Sequence, residues 1–467
     1  MATKAKAQRG KRVAASRRVP APLPRKRHSC IVLGAGLAGL AAAHRLTEKG
    51  WDVTVVEAQR ERLGGRVFSH QFDEDRSLVC ELGGEWIGKD HKEMLRLCRF
   101  FSLPKMRHRY AYSFWEGEKP LRFTPPGKWA LSGSAKKGFD QLRNQYDKYG
   151  NSELIEMDKL DWWTQLDGSG FKLNDLLQRD LMDSTDFGES IRQVSAYVGA
   201  SEYFGTAGVG ADTTDEMDYK LVGGNSTLVY ALADSVGRRR IHKGFVVRKI
   251  YQDSTGVEVS SSKGTLKAEV CICALPAHQL PRINWGRADL PEDHRDAARQ
   301  LQYARITKTA VLCSERFWPK PPRGGFSLFT SLASDFCFDS TAGQKGGRGI
   351  LCSYAIGDKA DDIAASPIRK LKNWIAGDVA TAAHPGWTEE QLKKISKIAL
   401  NAKRQAWQND RFTRGAYAFY RPGQWFTIRP ILQRPHRKVF FAGEHIADEQ
   451  GFMEGAVVTG RNAADNL

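Results

Sequence analysis

An apolar strand, a set of spaced glycines and an alanine-rich helix follow one another in Cys30-Ile-Val-Leu-Gly-Ala-Gly-Leu-Ala-Gly-Leu40. Each glycine of Gly34-x-Gly36-x-x-Gly39 answers a different steric demand. Gly34 permits the tight turn from strand to helix, Gly36 lets backbone approach a pyrophosphate, and Gly39 lets the helix lie close to the sheet. The helix runs from Leu37 to Lys49 and stops at Gly50, and a second apolar strand, Trp51-Asp-Val-Thr-Val-Val-Glu57, ends on an acid. Unpaired N–H groups and a partial positive charge at the helix N-terminus, where Leu37 and Ala38 lie, suit phosphate. Glu57, eighteen residues past Gly39 and followed by Ala58, stands where a carboxylate accepts hydrogen bonds from ribose hydroxyls. Strand, helix, second strand and acid in register predict a dinucleotide-binding α/β fold.

Gly64-Gly65-Arg66 follows the second strand. An NAD fold has no general need for a second glycine pair and an arginine there. An FAD site buries a longer cofactor and uses such a turn to bring backbone and a cation to the diphosphate. On these residues the chain resembles the flavin amine oxidase family, which includes monoamine oxidases, polyamine oxidases and L-amino-acid oxidases, from about Ser29 to Leu467. Glu81-Leu-Gly-Gly-Glu-Trp-Ile-Gly88 is similar to the family's flavin-facing loop, which implies cofactor contacts from Gly83, Gly84, Glu85 and Trp86. Leu221-Val-Gly-Gly-Asn225 resembles the turn that re-enters the cofactor domain. Phe441-Ala-Gly-Glu444 and Gly451-Phe-Met-Glu-Gly-Ala-Val457 resemble the closing signature, where a helix N-terminus meets the flavin ring. That likeness implies contacts from Gly443, Glu444, Gly451, Phe452 and Met453. Val247, in Phe245-Val-Val-Arg-Lys-Ile250, resembles a valine whose backbone reads the adenine edge.

The resemblance also implies catalytic residues. Monoamine oxidases carry a lysine ten residues before the Trp of a Phe-Trp pair, and Lys308 precedes Phe317-Trp318 by that interval. Such a lysine would hold a water against flavin N5. Tyr417, in Gly415-Ala416-Tyr417, takes the place of the aromatic beside the flavin, with Trp407 upstream, and Phe452 takes the place of a second aromatic. Tyr417 and Phe452 would then be facing rings between which an amine passes. Ala416 occupies the position of the cysteine that bonds covalently to flavin in mammalian monoamine oxidases, so non-covalent FAD is expected.

The implied activity is oxidative deamination of a primary amine, either a monoamine or an L-amino acid, with dioxygen as acceptor and hydrogen peroxide as product. A polyamine oxidase is one alternative, and a flavin desaturase of the protoporphyrinogen oxidase or carotene desaturase type is another. The arginine with which snake-type L-amino-acid oxidases grip a carboxylate is absent from Gly83-Gly-Glu-Trp-Ile-Gly88. Arg411, Arg414 or Arg421, which flank Tyr417, could supply a cation instead, and Glu85 could bind a distal ammonium.

The expected organisation is a discontinuous, Rossmann-like FAD-binding domain (28–90, 220–285 and 400–467) with a mixed α+β substrate-binding domain (91–219 and 286–399). Strands are predicted over Phe245–Tyr251, Gly256–Ser260, Glu269–Leu275, Thr309–Glu315, Gly325–Thr330 and Ile350–Ile356. Helices are predicted over Phe171–Leu181, Ile191–Tyr197 and Ser366 to about Ala382, the last stopped by Pro385-Gly386. Of the net charge of +18, ten positive charges fall in residues 1–27, which contain no acid, leaving +8 for the body. A basic, apolar-poor tail of this kind is expected to be disordered. Nucleic-acid binding is not expected. Ser16-Arg17-Arg18 lacks the apolar region of a twin-arginine export signal, and no run reaches the roughly eighteen apolar residues of a spanning helix. Eight cysteines without a CxxC pair or Cys/His ligand spacing suit a reducing cytoplasm and predict no metal. Oligomeric state is open, a homodimer included.

Overall fold

The computed structural model describes residues 28–467 apart from 116, 118, 127–131, 205–217 and 287–288. The basic tail at 1–27 and part of the expected substrate-binding segment at 205–217 thus lie outside the described residues.

Five parallel strands build the first sheet, in the order Val439–Phe441, Val270–Cys273, Ser29–Leu33, Asp52–Glu57, Ile241–Lys243. A parallel sheet is covered on both faces, which is why its central strands read as near-continuous apolar runs. On one face pack the helices Leu37–Glu48, Ser226–Val236 and Met453–Asp465, through residues such as Leu40, Leu232 and Val457. Gly34 makes the strand-to-helix turn at φ +94°, where a side chain would be strained. A Cβ on Gly39 would lie 1.9 Å from the Gly34 carbonyl oxygen, so only glycine lets this helix seat on its strand. A three-stranded antiparallel meander, Lys249–Gln252, Val257–Ser261 and Gly264–Ala268, joins the third and fourth of these parallel strands in chain order.

The second sheet has six strands in the order Ala399–Ala406, Ile306–Cys313, Gly349–Ile356, Phe336–Asp339, Gly325–Phe329, Tyr110–Ala111. Its pairs are antiparallel except the last, which is parallel. Ile306–Cys313 is buried along its whole length and sits between two neighbours, with Lys308 opposite Tyr354 and Gln405. Helices Leu173–Phe187, Ala196–Phe204 and Ile368–Ala383 belong to the same half.

Three sequence expectations change. The boundary at 400 cuts through the strand Ala399–Ala406, which pairs with Ile306–Cys313 and so belongs to the second sheet. No helix spans Ile191–Tyr197; helix begins at Ala196. Backbone N–H groups of Trp162 and Trp163 donate to the carbonyls of Val194 and Ile191, at 2.9 and 3.2 Å, and this tertiary pairing overrides the helical spacing. The strand expected from Phe245 starts only at Lys249, because Phe245, Val246 and Val247 run along the edge of a cavity. The eight cysteines are free and buried. Among the described residues no helix is long and apolar enough to cross a membrane, and no group of three His, Cys, Asp or Glu side chains could hold a metal ion.

Gly39→Ala forces the first helix off its strand. It should cost about 1–3 kcal/mol of stability, as core overpacking does, and lower the flavin bound per chain. Thermal unfolding together with visible absorbance reads both; wild-type values for both would contradict the close-packing role.

Candidate active site

One large cavity, with about 2240 Å³ of empty space including its mouth, opens where the two sheets meet. Its lining runs from the glycine turn at Gly34 and Gly36 to Tyr417 and Phe452, so it suits an elongated guest. Every cofactor-binding and catalytic residue predicted from the sequence lines it, except Gly39. Gly39 acts from behind, through the helix packing described above.

At the dinucleotide end, Gly36 is the N-cap of Leu37–Glu48, no side chain caps that helix, and a Cβ on Gly36 would meet nothing within 4 Å. The helix therefore presents its N–H groups to open space, as phosphate requires. Glu57 accepts hydrogen bonds from the backbone N–H of Ala35 and of Gln59, both at 2.8 Å. A carboxylate has about four acceptor positions, so ribose hydroxyls can share it. Arg66 does not offer a free cation to a diphosphate: its guanidinium is 2.5 Å from Glu444. Glu444 also accepts from the N–H of Gly451 (2.8 Å) and of Ala418 (3.2 Å), so one carboxylate ties three cavity segments together. Arg62, which the sequence reading passed over, donates to the Gly65 carbonyl at 2.6 Å and lies over the Phe68 and Trp407 rings.

At the other end, Lys308 reaches from the second sheet into the flavin-facing loop. Its ammonium donates to Glu85 Oε2 at 2.8 Å and to the Gly83 carbonyl at 3.0 Å. Glu85 Oε1 lies 2.8 Å from His108 Nε2. Lys308 and Glu85 are 3% exposed and His108 is 0% exposed. Burial pushes the Glu85 carboxyl up, but Lys308, helped by His108, brings it down to about 2. Burial likewise opposes the Lys308 ammonium, yet Glu85 outweighs it and its pKa rises. Burial, with Lys220 next, pushes the His108 imidazole down to about 4, leaving a neutral ring that donates to Glu85. With one oxygen bonded to Lys308, the other to His108 and its side chain shut away from solvent, Glu85 is committed to these partners rather than to a distal substrate ammonium.

The loop bearing Glu85 is itself clamped. Asn225 donates from Nδ2 to the carbonyls of Gly84 (3.0 Å) and Glu85 (2.8 Å). Trp407 donates its indole N–H to the Leu82 carbonyl at 2.9 Å, so its ring lines the cavity while its polar end holds the loop. Tyr417 donates its hydroxyl to the Thr185 carbonyl, and the Tyr354 hydroxyl lies 3.3 Å from it. A Cβ on Gly451 would be 2.9 Å from the Tyr417 ring, so glycine there brings the next residue, Phe452, alongside. The Phe452 ring meets His91 edge-on at 5.7 Å and makes no ring contact with Tyr417, and both rings line the cavity. Phe452 is also the N-cap of Met453–Asp465, a second helix start that no side chain caps. Arg411, Arg414 and Arg421 do not line the cavity.

Over residues 37–467 the sequence matches the family described as flavin containing amine oxidoreductase. The chain belongs to this family. It is 26% identical to an L-amino-acid oxidase of Bothrops moojeni over 94% of the chain and 88% of that protein. It is 25% identical to an L-amino acid dehydrogenase of Synechocystis sp. over 93% of each. Among solved structures it resembles cyclohexylamine oxidase from Brevibacterium oxydans (TM-score 0.80, 21% identity, 94% of this chain and 98% of that one). It also resembles a putrescine oxidase bound to putrescine (TM-score 0.78, 21% identity, 94% and 98%). The cofactor of this flavin amine oxidoreductase is FAD, and the cavity fits it. Two helix starts without a side-chain cap open onto the cavity, and Trp86 Nε1 and His445 Nδ1, both lining it, are buried without a hydrogen-bond partner.

Glu85→Gln leaves the Lys308 ammonium buried against a neutral amide, a loss of about 3–5 kcal/mol at neutral pH. Because the Glu85 carboxyl titrates at about 2 rather than 4.5, its stabilisation is complete above pH 4.5 and disappears as pH falls through 2. Urea unfolding of both proteins should therefore show a gap that closes over that window. A gap of constant size would mean that the lost stability has another source.

Proposed function

We propose that this flavin amine oxidoreductase oxidises a primary amine, a monoamine or an L-amino acid, to an imine. Water hydrolyses the imine to a carbonyl compound and ammonia, and dioxygen is reduced to hydrogen peroxide. The observation that carries this reading is that Lys308, Tyr417 and Phe452, which lie far apart in sequence, line one cavity together with the flavin-facing loop. The relatives named for L-amino-acid, cyclohexylamine and putrescine oxidation support a nitrogen-bearing carbon as the site of reaction.

When bound, FAD supplies the two-electron acceptor for a hydride leaving that carbon. The chain supplies placement. Gly83, Gly84 and Trp86 are fixed by Asn225 and Trp407, and Tyr417 is fixed by Thr185, so the walls meet substrate in one geometry. Tyr417, Tyr354, Ile306 and Phe452 give the substrate end apolar surfaces. Such walls desolvate an ammonium and favour the neutral amine, whose nitrogen lone pair is needed as hydride leaves. Ring faces attract cations, but in a closed slot desolvation is the larger effect. A dedicated general base is then unnecessary.

Lys308 is a permanent cation with two of its three donors committed, to Glu85 and Gly83. Its third N–H could donate to a water in the cavity, and its charge would favour anions there. Ala416 lines the cavity in place of a linking cysteine, and among the described residues no cysteine lines it, so the cofactor is held without a covalent bond.

Lys308→Met should slow flavin reoxidation by oxygen by about tenfold or more, the scale of one lost charge interaction. Stopped-flow absorbance separates this from reduction by amine, and two unchanged half-reactions would remove Lys308 from the mechanism. Tyr417→Ala should lower turnover while keeping the yellow cofactor. Loss of FAD instead would make Tyr417 a structural residue.

A further inference from the structure

The net charge of +18 is unevenly spread. Residues 1–27 carry ten basic side chains and no acid, and they join the fold at His28. The His28 carbonyl accepts from the Asp52 N–H at 2.8 Å, and the Asp52 carboxylate is 2.5 Å from Arg240. Arg240 closes the triplet Arg238-Arg239-Arg240, which leads into Ile241–Lys243, the edge strand of the parallel sheet. The root of the basic tail and an exposed basic turn therefore sit side by side on one edge of the molecule.

The basic character continues along that edge. Parallel pairing sets Ile241 beside Val55 and Lys243 beside Glu57, so the strip runs from the tail root towards the cavity. There Lys263, from the meander, donates to the Lys243 carbonyl at 2.7 Å. A Cβ on Gly244 would lie 2.9 Å from the Lys263 ammonium and 3.0 Å from Arg60 Cγ, which brings both side chains to the same spot. The Gly244 N–H donates to the Gln59 carbonyl at 3.1 Å, and Gln59 lines the dinucleotide end of the cavity. Arg60, Arg238, Arg239, Arg240, Lys243 and Lys263 are all exposed. Asp234 and Asp52 pair with Arg238 and Arg240, whereas among the described residues Arg60, Arg239, Lys243 and Lys263 pair with no acid. Lysine on an edge strand discourages strand pairing, but that task needs neither Arg60, nor the arginine triplet, nor a basic tail rooted beside them.

We propose that this edge, together with residues 1–27, docks the protein on an anionic lipid surface. An anionic bilayer favours each nearby Lys or Arg by about fivefold in affinity, within a Debye length of about 8–10 Å. Such a surface asks only for cations on one outward face. Nucleic acid asks for more: a helix or ribbon entering a groove, or rings on which bases stack. The strip is a sheet edge and a short turn, no phenylalanine or tryptophan is exposed along it, and the Tyr230 ring lies under the Arg238 guanidinium at 5.7 Å. Without an apolar wedge the contact is electrostatic, and it is reversible by salt.

Sedimentation of the FAD-loaded full chain with vesicles tests this, using phosphatidylcholine alone and an equal mixture of phosphatidylcholine and phosphatidylglycerol. At low salt the protein should bind the mixed vesicles and not the neutral ones, and about 0.5 M salt should release it. Arg60→Gln, Arg239→Gln and Lys243→Gln combined should weaken binding by about a hundredfold, and Arg239→Glu alone, at an exposed turn that tolerates change, by about tenfold or more. Deleting residues 1–27 should weaken it further. Binding that ignores lipid charge, or no binding at low salt, overturns the proposal. Unchanged binding by the strip variants assigns any attachment to the tail alone and removes this edge from it. Tighter capture by duplex DNA than by the mixed vesicles at the same salt overturns the choice of partner. None of these outcomes bears on amine oxidation.

Discussion

The salt bridge from Lys308 to Glu85 is the interaction on which the cavity depends. It spans 2.8 Å, is shut away from water, and joins a strand of the second sheet to the loop that faces the cofactor. Burying two charges is expensive, and such a pair often adds little net stability over apolar residues of the same size. What it supplies here is definition. The loop backbone at Gly83 and the ammonium have one mutual arrangement, and each group keeps its charge because of the other.

Around this bridge the cavity is held by groups that belong to distant segments. Asn225 fixes the Glu85 loop from the re-entering turn, Trp407 fixes it from beyond the edge strand, and Glu444 binds Arg66, Ala418 and Gly451 at once. A dinucleotide laid across the cavity would touch residues from both sheets and stabilise their contact by mass action. Cofactor binding and the joining of the two halves are thus parts of one process.

The portions of this site that were legible in the sequence are those governed by local sterics. Gly34, Gly39 and Glu57 sit within one strand–helix–strand unit, and their spacing alone dictates their positions. Lys308, Tyr417 and Phe452 could be placed only through likeness to a family, and the cavity does bring them together. The partners that set their chemistry carry no sequence mark. Glu85 and Lys308 are 223 residues apart, and nothing near either one announces the other. The helix expected over Ile191–Tyr197 failed for a related reason, since its carbonyls are taken by Trp162 and Trp163 from another segment. Arg62 could have been noticed, because it lies two residues before Gly64-Gly65.

The most direct measurement is a double-mutant cycle on unfolding free energy, comparing wild type, Glu85→Gln, Lys308→Met and the double variant in the FAD-loaded protein. If the bridge organises the cavity, the double variant is more stable than the sum of the single losses predicts, by about 2 kcal/mol or more. Losses that simply add would show that the two side chains act independently and would contradict the account.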